Sequence, residues 1–117
     1  LAVSDDLMPA VGRKLSRRMR SFSWPAQTVF SNDYAPGFSV LEVVAPDRPG
    51  FLAVVGQVFF DHKLRLHSAK ISTFGERVED VFFLTDRSDH IIEDETVIQR
   101  IQQDLCEALD ENAQTLD

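Results

Sequence analysis

The sequence predicts an α+β domain of the ferredoxin-like type, and three features predict it. Strand and helix patterns follow one another in the order ββαββα. The run Asp80–Thr85 is apolar on both faces, as a strand in the middle of a sheet must be. A Pro/Gly loop, Pro46–Gly50, leads from a strand straight into an amphipathic helix. A ferredoxin-like chain runs βαββαβ and brings its last strand to the sheet edge, antiparallel to the first. No strand pattern follows the second helix here. The first run, Gln27–Asn32, is expected to take that edge instead. The expected fold is thus a circularly shifted, four-stranded antiparallel sheet, with two helices on one face and the other face short of cover.

The elements can be justified in order. Residues 1–24 carry Arg13, Lys14, Arg17, Arg18 and Arg20 against Asp5 and Asp6, a local charge of +3, while residues 25–117 carry −10. Val11, Leu15 and Met19 give this segment a loose helical spacing, and Pro25 closes it by disfavouring the α region at Trp24. It reads as a linker or the end of a preceding module, and the start on Leu1 suggests a fragment. Gln27–Asn32 is short and partly β-branched, and Asp33, Pro36 and Gly37 supply a turn. Ser39–Ala45 is a β-rich run, so the two should form a hairpin. Phe51, Leu52, Val55, Val58 and Phe59 recur at three and four, which predicts a helix ending near Asp61–Lys63. Leu64–Phe74 alternates as a strand, with Leu64, Leu66, Ser68, Lys70 and Ser72 on one face. Gly75–Arg77 turns the chain into Asp80–Thr85. Val97, Ile98, Ile101, Leu105 and Leu109 form a last helical stripe, with Asp94 as N-cap. The domain is expected over 25–111 and a frayed tail over 112–117.

Composition excludes several functions. The net charge of −7 is the wrong sign for gripping a phosphate backbone, which counts against nucleic acid. Phe82-Phe83 on a middle strand could suggest a base-stacking platform, but Glu79, Asp80 and Asp86 would repel phosphates. No apolar run reaches the ~18 residues of a bilayer helix, so no membrane partner is expected. A single cysteine and no secretory signal point to a reducing cytoplasm.

Catalytic and metal candidates are poor. Cys106 has no basic neighbours to lower its pKa and reads as a small packed thiol. His62, His67 and His90 lack metal-ligand spacing. Asp61-His62 reads as a helix-end capping pair, and Glu93-Asp94-Glu95 as a first turn matched to the helix dipole. No enzymatic centre and no cofactor are expected in this segment.

The Asp47-Arg48-Pro49-Gly50 loop is different. Gly50 lets the helix start close to the strand, and the N–H groups of Phe51, Leu52 and Ala53 would point out of the helix start, suited to a carboxylate. Asp47 adds a negative charge suited to an ammonium group. Together they describe a receptor for a free amino acid. The alternative is that Asp47 only caps the helix and Gly50 only turns the chain, and the residues leave both open.

Leu41–Ala53, followed by an apolar helix and the Leu64–Ile71 strand, resembles an ACT domain, a small regulatory module that binds amino acids, usually between paired copies. Asp47–Leu52 matches the family's acidic-Arg-Pro-Gly-apolar-apolar loop in full. The run Ala69–Phe83, and Gly75-Glu76-Arg77-Val78-Glu79-Asp80 within it, is similar to the last ACT module of the PII uridylyltransferase family. The likeness covers about residues 25–111. It implies glutamine sensing in bacterial nitrogen signalling, in a parent with a nucleotidyltransferase domain that modifies PII and a metal-dependent phosphohydrolase domain that reverses this, Mg2+ being the expected parent ion. It implies as partners glutamine, PII through the parent enzyme, and a neighbouring ACT module or second chain. The ligand residues it implies are Asp47, Arg48, Gly50, Phe51 and Leu52. Arg65 and His67 are further candidates, because Leu64-Arg65-Leu66 stands where several ACT domains carry a polar contact. Residues 1–24 would be the end of the preceding module.

Overall fold

The computed structural model describes residues 25–115, with side chains to Asp110. The segment 1–24, read above as a linker, lies outside the described residues. The elements are β1 (Gln27–Ala35), β2 (Phe38–Pro46), α1 (Phe51–Asp61), β3 (Leu64–Lys70), β4 (Thr73–Phe74), β5 (Arg77–Asp86) and α2 (Glu95–Thr115). The sheet order is β1-β2-β5-β3, with every pair antiparallel and the two-residue β4 hydrogen-bonded to β5. The circular shift is therefore real. β1 holds the edge beside β2, with Gln27 opposite Val44 and Ser31 opposite Val40. The hairpin is longer than the turn residues suggest, because Ala35 pairs with Phe38 and only Pro36-Gly37 turn, Gly37 at φ 81°.

Both helices lie on one face of the sheet. Phe51, Val55, Val58 and Phe59 of α1 and Ile98, Ile101, Leu105 and Leu109 of α2 pack on Leu41, Val43, Ala45, Phe82 and Leu84. Phe59 meets Phe82 edge-on at 5.3 Å between ring centroids, and burying such a ring contributes roughly 1.5–3 kcal/mol. Val97 is the exception in the expected stripe. It neighbours Ile98 on a helix of 3.6 residues per turn, so only one of the two can face the core, and Val97 is exposed. Asp94 caps α2 through its Oδ1, which accepts from Thr96 N–H at 2.9 Å. The helix backbone then runs to Thr115, past Asn112 where fraying was expected, since no Gly or Pro intervenes to end it.

The sheet's other face was expected to be apolar and short of cover unless another module, a second chain or residues 1–24 lay on it. It is apolar at its centre, where Val40, Val44 and Val81 are buried, with Val29, Ala35 and Phe83 packed against them. The Phe83 ring also meets those of Tyr34 and Phe38. Uninterrupted alternation along 64–74 fails. Leu66 pairs with Leu84 but Ser68 with Phe83, so β3 carries one extra residue at His67. This bulge puts Ser68 on the Phe83 face and Ala69 on the Phe82 face. The strand then breaks at Ile71-Ser72, where Ser72 N–H donates to the Asp80 side chain at 3.0 Å rather than to a neighbouring strand. Asp61 and His62 do stand at the end of α1, with His62 as its C-cap through its backbone N–H, but their side chains do not pair with each other. Asp61 accepts from Gln57, while His62 reaches Asp104 at 2.8 Å and ties α1 to α2.

Candidate functional site

The β2–α1 loop and the break between β3 and β4 border an open cavity of about 340 Å³. Asp47, Arg48, Gly50, Phe51, Leu52 and Ala53 line it from the loop and helix start. Ile71, Thr73, Val78 and Asp80 line it from the sheet. Local chemistry builds the loop side. Gly50 sits at φ 82°, a left-handed conformation that side chains disfavour, and this sends the chain from the loop into α1. No side chain caps the helix. The capping role left open for Asp47 is therefore removed. Asp47 is exposed, anchored by its own N–H donating to the Glu76 carbonyl at 2.8 Å.

The helix amides differ from expectation in one respect. Phe51 N–H already donates to the Arg48 carbonyl at 3.1 Å, and Val54 N–H to the Gly50 carbonyl at 3.0 Å. A helix beginning at Phe51 holds no internal acceptors for its first amides, so Leu52 and Ala53 are the N–H groups that point out of its start.

On the sheet side stands Asp80, which lines the cavity from β5 and is fully buried. Its Oδ1 accepts from Ser72 N–H, while Oδ2 has no hydrogen-bond partner among the described residues. Burial pushes this carboxyl up to about 6, against the Ser72 hydrogen bond, with the nearby Asp47 charge pushing the same way. Arg48 Nε is also buried without a partner. One unpaired donor and one unpaired acceptor thus belong to residues lining the same cavity.

Of the residues singled out in the sequence, Asp47, Arg48, Gly50, Phe51 and Leu52 come together here. Arg65 and His67 do not. They lie toward the other end of β3, where Arg65 donates to Asp89 at 2.8 Å and His67 Nε2 lies 2.7 Å from Thr85 Oγ1. Asp80 was missed as a site residue. The available signal was an acid sharing strand parity with the core residues Val78, Phe82 and Leu84. A wider groove of about 550 Å³ lies between β1 and α2, but several of its polar groups are already paired with one another or with neighbouring backbone. Gln102 donates to Thr28 and Asn32 donates to the Ile92 carbonyl.

A match to a family model decides the family: residues 35–112 fit the model described as the ACR family N-terminal ACT domain. The chain belongs to the ACT-domain family. The chain is also 43% identical over 105 residues to the bifunctional uridylyltransferase/uridylyl-removing enzyme of Stutzerimonas stutzeri, covering 90% of this chain and 12% of that protein. It is 49% identical over 87 residues to the protein of the same name from Methylococcus capsulatus, covering 74% and 10%. The Pseudomonas aeruginosa protein of that name is 42% identical over 108 residues, covering 92% and 12%. The chain therefore spans about an eighth of the length of these relatives. As an ACT module it is regulatory. Elsewhere, burial pushes the Cys106 thiol up, away from nucleophilic use. Among the described residues no His, Cys, Asp and Glu group could hold a metal, and no helix is long and apolar enough to cross a membrane.

Proposed function

We propose that this ACT module senses glutamine in the cytoplasm, within a bifunctional uridylyltransferase/uridylyl-removing enzyme, and through it controls uridylylation of PII. The observation that carries the reading is the cavity at the start of α1. It gathers an exposed carboxylate, Asp47, the outward Leu52 and Ala53 amides, and the unpartnered Nε of Arg48. A free amino acid presents the matching set, one carboxylate and one ammonium. The amides and Arg48 take the ligand carboxylate, and Asp47 takes the ammonium. Phe51 shapes the loop rather than donates, since its N–H is held by the Arg48 carbonyl, and Gly50 turns the chain into the helix. Regulation requires glutamine to bind one arrangement of the parent better than another. Calorimetry of glutamine on the full-length enzyme, with the PII modification assayed in parallel, tests the reading. Saturable heat that Asp47→Ala weakens is expected. No heat at any concentration, with regulation intact, would leave the module without a ligand.

A second reading has its own observation. Among the described residues β3 is a sheet edge, Leu66 on it is 51% exposed, and Phe60 at the end of α1 is 65% exposed. A free strand edge flanked by large apolar side chains suits pairing with a neighbouring ACT module or a second chain. Pairing through this surface, without a ligand, would make the module purely structural. Light scattering over a concentration series, with Phe60→Lys as the disrupting variant, separates a pairing module from a monomeric one.

A further inference from the structure

We infer that Asp80 is the buried counter-charge of the ligand's ammonium, so that the site selects amino acids by their free α-amino group from the sheet side as well as from the loop. This rests on reading the cavity as an amino-acid site. It does not follow from the loop motif, because Asp80 comes from β5 and meets the loop only in the folded chain.

The Asp80 carboxylate is fully buried, with one oxygen held by Ser72 N–H and the other without a donor among the described residues. A buried acceptor left unmatched carries a desolvation cost that a structure retains only for a reason. Asp80 lines the same cavity as Asp47, whose charge opposes its ionisation. Two carboxyl groups facing one space repel each other until a cation enters between them. A primary ammonium fits this position: it carries three donors and one positive charge. One donor reaches Asp80 Oδ2 at the buried end and another Asp47 at the exposed end. The ligand carboxylate remains free for Leu52, Ala53 and Arg48. Asp80 thereby fixes the ligand's polarity: reversed, it would place a carboxylate against two acids.

The alternative role for Asp80 is structural, anchoring the Ser72 break through Oδ1. Asp80→Asn separates the two, since an amide oxygen can still accept from Ser72 N–H while the charge is lost. The ligands to compare are glutamine and glutaramate, which is glutamine without its α-amino group, measured by calorimetry on the full-length protein. The wild type should bind glutaramate at least about tenfold more weakly than glutamine. Asp80→Asn should weaken glutamine by about tenfold or more and change glutaramate by less than about twofold, with thermal stability kept or raised. Unchanged glutamine affinity in Asp80→Asn overturns the role of Asp80 and leaves the amino-acid site standing. A wild type that binds neither compound, or binds both equally, overturns the site itself and Asp80 with it. Carboxyl carbon NMR on the wild type gives a readout independent of any variant. Glutamine should shift the Asp80 titration to lower pH, and an unmoved titration overturns the inference.

Discussion

Asp80 and Asp86 sit near the two ends of the same strand, and their surroundings push them in opposite directions. Asp80 is buried beside the loop and its carboxyl is raised to about 6, chiefly by loss of water. Asp86 lies at the surface, and its carboxyl is lowered below the ordinary range, chiefly by the His90 N–H and further by Ser88 N–H. The end of the sheet around Asp86 is finished: Arg65 meets Asp89, His67 meets Thr85, and the 86–90 turn closes on itself. The end around Asp80 carries the unpartnered Asp80 Oδ2 and Arg48 Nε. Satisfied polar groups hold a fold together, whereas unsatisfied ones beside a cavity offer it something to bind.

The largest expected effect that could break this contrast is on binding. Asp47→Ala should weaken glutamine binding by about tenfold, the scale of a lost hydrogen bond to a charged group, since Asp47 is exposed rather than buried. Phe51→Ala keeps the backbone and should do less to binding, though it removes a core ring. Arg65→Ala and His67→Ala at the finished end should leave affinity within about twofold in calorimetry. Equal losses at both ends would erase the distinction drawn here.

Backbone strain comes next. Gly50 has open space where a Cβ would stand, so only its φ of 82° resists substitution. Gly50→Val should destabilise the domain by about 1–2 kcal/mol in denaturant unfolding and disturb the loop, while Gly56→Ala, with ordinary φ and equal space, should be neutral or stabilising. A neutral Gly50→Val would mean that the loop relaxes easily and is no fixed receptor.

The pH dependence gives opposite signs at the two ends. A carboxyl whose pKa is raised by folding contributes stability that is present below its ordinary value near 4 and is lost as pH rises through about 6. Asp80 should thus make the domain less stable between about pH 4 and 6, and Asp80→Asn should flatten that decline in thermal melts. Asp86, lowered by folding, contributes stability present above its ordinary value and lost as pH falls through its folded value. Asp86→Asn should lessen the stability gained on the acid side of neutrality. The smallest effect belongs to Arg65. Its pair with Asp89 is exposed on both sides, so breaking it should cost at most about 1 kcal/mol.

Local pattern was enough to read most of the fold. Period 3.6 in 51–59 and 98–109, β-branched runs in 39–45 and 80–85, and the lack of any strand pattern after Leu109 determined the shifted ββαββα order. The loop half of the site was legible too, because Asp47 to Leu52 is contiguous. Tertiary structure decided the rest. The bulge at His67 depends on the partner strand β5, which no window of residues contains. So does the break at Ser72, whose amide is captured by a side chain eight residues ahead. Asp80 read only as an acid on a middle strand that would repel phosphates, since sequence lists charge but not the water around it. Only folding removes that water, raises the carboxyl, and sets it against a loop from the other side of the helix start.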